Sequence, residues 1–280
     1  MCELFGLSSK EKVRPSLMLK EFFSHAADNP HGWGAALFGK DRAEIVKEPL
    51  SALVSRKAED FAEAAPDTDL IIAHIRLATK GQVTMDNTHP FVMKDRSGTE
   101  WVLAHNGTIF GSDALSDYVY TQTGETDSER ILMYLIDSLN EKLRGSRKGS
   151  DAQAISRQSS EDPQSNTAAL TTDEKISVIE KVIKDITDDN KVNILLSEGQ
   201  FLYAHTNYRG SLNALSANGI AAVSSKPLEA VSPEGWEELP VNTLMVYRKG
   251  QLIYRGVPHE NEYFEDEERT RALFLDYANM

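Results

Sequence analysis

An α+β fold is predicted because strand-like and helical patterns alternate in both halves of the chain. The run DLIIAHI at residues 69–75 is continuously apolar in the way that is typical of a buried strand. Residues 127–143 and 176–186 instead place apolar side chains three and four residues apart, which is typical of helices. With 280 residues, the chain is long enough for one large domain or two small ones. We therefore expect layers of helix packed on sheet.

The elements of the first half follow from the same two patterns. Strands are predicted where short apolar runs follow turn residues, and helices where the apolar spacing is three or four. The predicted strands cover residues 33–38, 69–75 and 101–104, and the predicted helices cover residues 15–27, 51–64 and 127–143.

The second half begins with a change in composition at residues 144–171. This stretch is rich in Ser, Gln, Asp and Arg and has no aromatic residue, so it has little apolar surface to offset the entropy of ordering. We interpret it as a mobile insertion, with a domain boundary as the alternative. Two hairpins are predicted next, at residues 193–205 and 243–254. Residues 2–258 are then one domain, and 259–280 form an acidic tail that is expected to be helical.

Composition excludes several classes of function. The chain has 30 Lys and Arg against 43 Asp and Glu, a net charge of −13, which argues against a nucleic-acid partner. A single Cys excludes internal disulfides and Cys-rich metal sites, and the His residues lack the paired spacing of metal ligands. The sequence has no glycine-rich phosphate-binding loop, so no nucleotide cofactor is expected. Without a signal peptide or a long apolar run, we expect a cytoplasmic protein with no membrane partner.

Cys2 is the only sulfur nucleophile in the sequence. A lone Cys is usually a small buried hydrophobic residue, and that interpretation stays open. If Met1 is removed, however, Cys2 carries a thiol and a free α-amine on one residue. The amine titrates near about 7.7–8.0 and the thiol near about 8.5, so the amine can act as the base for the thiol.

Three other segments have residue types suited to binding a small polar substrate. Arg76 ends an apolar strand and could grip a carboxylate with two hydrogen bonds, or form a surface ion pair. Asn106 and Gly107 follow another strand and fit either an oxyanion hole or a simple hairpin turn. Asp127 opens the strongest helix beside a predicted capping box of Thr126 and Glu129, where it could accept an ammonium group.

Six short motifs in the first 130 residues occur in a recognisable order. They are MCELFG at 1–6, HGWG at 31–34, HIR at 74–76, NTHPF at 87–91, AHNG at 104–107 and GETDSE at 124–129. In this order they resemble the class II glutamine amidotransferases. The similarity is greatest to the small stand-alone branch of bacterial amidotransferase-like proteins and γ-glutamyl hydrolases.

The resemblance implies a four-layer αββα sandwich of the N-terminal-nucleophile hydrolase type. It also implies a role for each matching residue. These are Cys2 as the nucleophile, Asn106 and Gly107 as the oxyanion hole, Arg76 on the substrate α-carboxylate and Asp127 on the α-ammonium, with Thr79 and His105 as neighbouring substrate-binding positions.

The implied reaction is attack of the Cys2 thiolate on the γ-amide of glutamine, with ammonia released through a γ-glutamyl thioester and no cofactor. The partners are glutamine or another γ-glutamyl amide. Either a separate synthase subunit accepts the ammonia, or the enzyme simply hydrolyses the amide. One alternative is a hydrolase of a γ-glutamyl peptide or thiol conjugate. An alternative of a different class is a non-catalytic glutamine-sensing or scaffold subunit.

Overall fold

The fold was examined in a computed structural model that describes residues 2–39, 42–154 and 169–278. The strands are β1 (Glu3–Val13), β2 (Trp33–Phe38), β3 (Ala43–Glu48), β4 (Thr68–Ile75), β5 (Phe91–Lys94), β6 (Glu100–Thr108), β7 (Lys191–Ser197), β8 (Leu202–Thr206), β9 (Asn213–Ala217), β10 (Ile220–Ser224), β11 (Glu237–Glu238), β12 (Met245–Arg248) and β13 (Gln251–Arg255). The α-helices are α1 (Ser16–Ser24), α2 (Arg56–Ala64), α3 (Asp113–Ser116), α4 (Asp127–Ala154), α5 (Thr172–Thr187) and α6 (Glu267–Ala278).

The strands form two antiparallel sheets. The first sheet has the order β11-β9-β10-β1-β4-β2-β3, and the second has the order β13-β12-β8-β7-β6-β5. β1 lies at the centre of the first sheet, between β10 and β4. β6 lies near one edge of the second sheet, between β5 and β7. The two strands that end in predicted site residues therefore belong to different sheets.

Three apolar clusters hold four layers together. Helices α1 and α2 pack on the outer face of the first sheet, and α4 and α5 pack on the outer face of the second. The third cluster joins the inner faces of the two sheets and includes Leu4, Ile72, Val102, Leu195 and Leu202. This arrangement is the αββα sandwich, so the expected α+β fold is confirmed.

Continuous apolar runs in the strands follow from this layering. In β4, Leu70 and Ile72 face the second sheet, whereas Ile71 and Ala73 face the helices α1 and α2. Successive side chains of a strand point to opposite faces, so a strand that is covered on both faces needs apolar residues at every position. The period-two alternation of a half-exposed strand is therefore absent from β4.

Several element boundaries differ from the predictions. The helix expected to begin at residue 51 begins at Arg56, because the Ser55 side chain accepts the Ala58 N–H and caps it. The helix expected to end at residue 143 continues to Ala154, since extending a formed helix costs less than starting one.

Half of the predicted insertion at residues 144–171 falls on 155–168, which lie outside the described residues. The two ends of this segment are helical or capped. Its first residues belong to α4, and Thr171 caps α5 in a capping box with Glu174. In the tail from residue 259 onward, the structure places α6. None of the helices within the described ranges combines the length and apolar character that a bilayer crossing requires.

Asn106 and Gly107 lie within β6, which shows that the hairpin-turn interpretation is wrong. Gly107 is paired with Val192 of β7. A Cβ atom at position 107 would lie 1.9 Å from the Lys191 carbonyl oxygen and 2.5 Å from His105 Nε2. Only glycine allows β6 and β7 to approach so closely at this point.

Buried histidines predict a loss of stability in mild acid. Burial lowers the pKa of both His74 and His205 from 6.5 to about 3. Between these values the unfolded chain binds more protons than the folded one, so stability is full above about pH 6.5 and falls as the pH decreases. Each ring contributes a slope of up to about 1.4 kcal/mol per pH unit. Urea unfolding at several pH values between 7 and 5 measures this slope of the unfolding free energy against pH. The slope should become shallower in His74→Gln, and an unchanged slope would contradict the assignment.

The glycine at position 107 is expected to be essential for the fold. Gly107→Ala should lower the free energy of unfolding by about 3 kcal/mol, because the backbone of β7 must move. Gly111→Ala is the matched control, since a Cβ there meets no atom within 4 Å. It should change stability by less than about 0.5 kcal/mol. Chemical denaturation measures the free energy of unfolding of both variants. Equal values for Gly107→Ala and Gly111→Ala would contradict the close approach of β6 and β7.

Candidate active site

The sulfur of Cys2 is held at the end of the first sheet. Pairing of β1 with β4 extends to Glu3 and Ile75, so Cys2 lies beside the residues that follow β4. The Leu77 N–H donates to Sγ over 3.2 Å, and the thiol donates to the Leu77 carbonyl over 3.3 Å. The register of two central strands therefore determines where the sulfur lies.

Opposing effects act on the pKa of the Cys2 thiol. Burial raises the pKa and is the largest effect. The hydrogen bond from Leu77 lowers it, as does the positive charge of Arg76, and the net result is a raised pKa. The thiol is therefore protonated near neutral pH, and a reaction that uses it as a nucleophile needs a base nearby.

The end of β6 brings Asn106 and Gly107 to the cleft that contains Cys2. Asn106 is fixed from behind, because its backbone carbonyl accepts a hydrogen bond from Asn193 Nδ2 over 2.8 Å. Both residues lie in the second sheet, whereas Cys2 lies in the first. The packing of one sheet on the other therefore assembles this part of the cleft.

The backbone N–H of Gly107 faces away from β7. Its partner Val192 uses both backbone groups on Asn207: the Val192 N–H donates to Asn207 Oδ1 over 2.8 Å, and the Val192 carbonyl accepts the Asn207 N–H over 3.3 Å. Gly107 and Val192 therefore form a non-hydrogen-bonded pair of the antiparallel ladder. The two residues of such a pair direct their backbone N–H and C=O groups away from each other. On the other side of β6, the pairing with β5 ends at Phe91 and Leu103. The Gly107 N–H therefore lies outside the hydrogen-bond ladder of the sheet.

Arg76 organises the loop of residues 77–82. Its Nη1 donates to the Gln82 carbonyl over 3.0 Å, and its Nη2 donates to the carbonyls of Lys80 and Gly81 over 2.8 and 3.1 Å. The side chain is 3% exposed, so these bonds form away from bulk water. Thr79, which belongs to this loop, lines the cleft with Cys2.

His31 holds the same loop from the opposite side. The ring Nδ1 of His31 accepts the Ala78 backbone N–H over 2.9 Å, and the backbone N–H of His31 donates to the Arg76 carbonyl over 2.9 Å. Burial and the charge of Arg76 lower the pKa of His31, which keeps Nδ1 available as an acceptor. In the sequence, His31 is marked only as the first residue of the motif HGWG. Its position directly before Gly32 was the available signal of a positioning role.

Asp127 lies behind the end of β6. Its Oδ2 accepts the Ile109 N–H over 2.7 Å, and its Oδ1 accepts the Ser128 hydroxyl over 3.4 Å. His105 has one ring nitrogen 2.9 Å from the Ser128 Oγ and the other 3.4 Å from the Lys191 carbonyl. The predicted neighbour His105 is thus buried under the strand and does not line the cleft.

The predicted capping box at the start of α4 forms only in part. The Thr126 Oγ accepts the Glu129 N–H over 3.4 Å, as expected. The Glu129 carboxylate, however, accepts the N–H groups of Thr123 and Gly124 over 2.9 and 2.8 Å. Glu129 therefore stabilises the turn that precedes the helix and fixes the position at which Asp127 enters it.

The cleft has a second wall that the sequence analysis missed. The cleft itself has a volume of about 450 Å³, which includes the part that is open to solvent. Burial lowers the pKa of Lys191 in this wall to about 8, while the charge of Glu265 acts in the opposite direction. The residues of the second wall are separated by up to 163 positions in the chain, so no local motif could mark them. They are Phe110, Lys191, Tyr263, Glu265, Thr270 and Leu273.

A metal site is not part of this arrangement. Within the described parts of the chain, no three His, Cys, Asp or Glu side chains converge in a way that could hold a metal ion. The structure instead brings together a thiol, a strand-end amide and a backbone N–H that points out of the β6–β7 ladder. These groups can attack a carbonyl carbon and hold the oxyanion that results.

Comparisons with known proteins place this cleft in a family. The sequence profile described as "Glutamine amidotransferases class-II" matches residues 1–162. A protein of Methanocaldococcus jannaschii is 29% identical over 279 residues, which cover 91% of this chain and 71% of that protein. Further relatives from Haemophilus influenzae and Escherichia coli are matched over only 63% and 56% of their own lengths.

Solved structures agree with the layered fold. The glutamine phosphoribosylpyrophosphate amidotransferase of Bacillus subtilis has a TM-score of 0.61 at 14% identity, with 93% of this chain and 50% of that chain covered. A Pseudomonas aeruginosa protein described as a predicted glutamine amidotransferase has a TM-score of 0.55 at 17% identity, with 90% and 100% covered. Since the family profile covers more than half of the sequence, the chain belongs to the class II glutamine amidotransferases.

Proposed function

We propose that this protein hydrolyses the γ-amide of glutamine, with Cys2 as the nucleophile. The observation that carries the proposal is the position of the Cys2 thiol. The Leu77 backbone holds the sulfur in the same cleft as Asn106 and Gly107. Cys2 is also the only Cys of the sequence, so no other thiol could replace it.

The first step needs a base, because burial raises the pKa of the thiol. Removal of Met1 would provide one, since the α-amine of Cys2 would then lie on the same residue as the thiol. An α-amine titrates near about 7.7–8.0, so it is partly unprotonated at neutral pH. The amine accepts the thiol proton while Sγ attacks the γ-carbonyl carbon of glutamine.

The second requirement is stabilisation of the tetrahedral intermediate. The Asn106 amide and the Gly107 N–H are assigned to its oxyanion. This assignment is supported by the orientation of Gly107, whose N–H points out of the β6–β7 ladder. A donor that is already fixed in the strand needs no reorganisation when the negative charge develops.

The reaction then proceeds in two balanced steps. As the C–N bond breaks, the protonated α-amine returns its proton to the leaving nitrogen, and ammonia and a γ-glutamyl thioester are formed. Water attacks the thioester with the α-amine again as base, which gives glutamate and restores the thiol. Whether ammonia goes to water or to a separate synthase subunit does not change the steps at Cys2.

Arg76 and Asp127 are assigned to the two charged groups on the α-carbon of glutamine. Both side chains are buried, although neither is among the residues that line the cleft. A charge-assisted hydrogen bond is stronger in a buried position than at the surface. Arg76 also holds the carbonyls of the loop at residues 80–82. Binding of the substrate carboxylate at Arg76 would therefore influence the position of that loop and of Thr79.

The role of the free α-amine predicts that any residue ahead of Cys2 abolishes turnover. A form with an uncleaved N-terminal tag should release little ammonia from glutamine. The matched control carries the same tag, removed by a protease that leaves Cys2 as the first residue, and should be active. Intact mass identifies each form. Full activity of the tagged form would contradict the mechanism, and glutamine binding without turnover in the control would favour a sensing subunit.

The roles in chemistry and in binding should separate in the kinetic constants. Asn106→Ala should lower kcat by about a hundredfold with little change in KM, because an oxyanion donor acts on the transition state. Asp127→Asn keeps an acceptor for the Ile109 N–H but loses the charge. It should lower kcat/KM by about 2–4 kcal/mol, mainly through KM. If Asn106→Ala changed only KM, its assignment to the oxyanion would be wrong.

A further inference from the structure

The C-terminal segment forms part of the cleft around Cys2. We use the name tail wall for its four residues that line this cleft. They are Tyr263, Glu265, Thr270 and Leu273. The first two precede α6 and the last two lie on it. The tail wall lies at least 155 residues along the chain from the predicted oxyanion donors, so it is brought there by the fold and not by local sequence.

The segment is anchored to the domain just before α6. The Tyr263 N–H donates to the Asn207 carbonyl over 2.7 Å, and Asn207 Nδ2 donates to the Asn261 carbonyl over 3.0 Å. The Tyr263 side chain is buried, and its ring stacks on Phe110 with an angle of 11° between the planes. This anchor places the beginning of the tail wall against the loop that follows β6.

Helix α6 is held over the cleft mainly by polar contacts. Arg269 forms an ion pair of 2.8 Å with Asp189, and its guanidinium lies 3.8 Å from the centre of the Phe110 ring. Before the helix, the Tyr208 hydroxyl donates to Glu265 over 2.5 Å. Exposed ion pairs contribute little to stability, so we expect the loss of the pair between Arg269 and Asp189 to cost the domain little.

The position of the tail wall bears on the size of the substrate. The cleft already contains the thiol, Asn106 and Gly107, which must surround the reacting amide. The charged groups of the glutamyl part are assigned to Arg76 and Asp127, neither of which lines the cleft together with the tail wall. The space beside the tail wall is therefore left for the group attached to the amide nitrogen. For glutamine that group is hydrogen, whereas γ-glutamyl peptides, thiol conjugates and anilides carry a large one. A wall of Phe110, Tyr263 and Leu273 limits that space.

We infer that the tail wall is a specificity determinant that restricts the leaving amine to ammonia and excludes γ-glutamyl amides of large amines. This inference rests on the proposed function, because it concerns the substrate class of the same site. Two experiments separate the role of the tail wall from the proposed hydrolysis of glutamine. The first of these experiments does not depend on turnover.

The first experiment measures access to Cys2 directly. Cys2 is the only Cys in the chain, so intact mass reports its alkylation without interference. Rates with iodoacetamide are compared with those of a pyrene maleimide for a chain ending after Asp266, for Leu273→Ala and for Leu275→Ala. Leu275 is the matched control because it lies on the same helix with its side chain 55% exposed.

We expect the ratio of the maleimide rate to the iodoacetamide rate to rise at least tenfold on removal of α6 and at least threefold in Leu273→Ala. It should stay unchanged in Leu275→Ala. The ratio cancels any change in the pKa of the thiol, which affects both reagents. An unchanged ratio in both the shortened chain and Leu273→Ala would overturn the inference, whether or not glutamine is a substrate.

The second experiment measures substrate choice. Hydrolysis of γ-glutamyl-p-nitroanilide is compared with that of glutamine for the same variants. The kcat/KM for the anilide should rise at least tenfold when α6 is removed and severalfold in Leu273→Ala, and not in Leu275→Ala. If kcat/KM for the anilide rises neither in the shortened chain nor in Leu273→Ala, while the intact chain still hydrolyses glutamine, the inference about the tail wall is overturned and the proposed function is not. Access that depends on α6 in a chain that never hydrolyses glutamine would reject the proposed function alone.

Discussion

The packing of the two sheets on each other is the constraint on which the site depends. Cys2 lies at the end of the first sheet, and Asn106 and Gly107 lie in the second, so the spacing of the sheets sets the distance between the Cys2 thiol and these two residues. Packed sheets lie about 10 Å apart, and the side chains between them determine the exact spacing. Gly6 permits a close approach, since a Cβ there would lie 3.0 Å from Leu195 and Leu202. A small residue that does not line the cleft therefore helps to set the spacing of the sheets that form it.

The loop after β4 connects Arg76 to the backbone that holds the Cys2 sulfur. Arg76 bonds to three carbonyls of this loop, and His31 accepts a hydrogen bond from Ala78 within it. The Leu77 backbone in the same loop holds the sulfur. The residue assigned to the substrate carboxylate thus also supports the residue that positions the nucleophile. Because these contacts share one short segment, changes at Arg76 or His31 should not be additive with changes in the loop.

Buried histidines near the cleft act as neutral structural groups. His74 and His89 stack with ring centres 4.1 Å apart, and burial lowers the pKa of both. Burial also lowers the pKa of His105. A charged ring would be costly at these positions. The positive charge that favours the Cys2 thiolate therefore comes in part from Arg76 and not from these rings. Three histidines in family motifs are thus held uncharged within the packed structure.

The amino-acid sequence by itself determined the layered fold class, the main strands and helices, and the pairing of Cys2 with the Asn106 and Gly107 motif. These features depend on local apolar spacing and on short motifs, which can be recognised along the chain. Tertiary structure alone decided that Asn106 and Gly107 lie in a strand, that Glu129 bonds to Thr123 and Gly124, and that Leu273 lines the same cleft as Cys2. The strand placement comes from pairing with β7, which lies more than 80 residues away. Contacts between distant segments depend on how whole layers pack, and local periodicity carries no information about that packing.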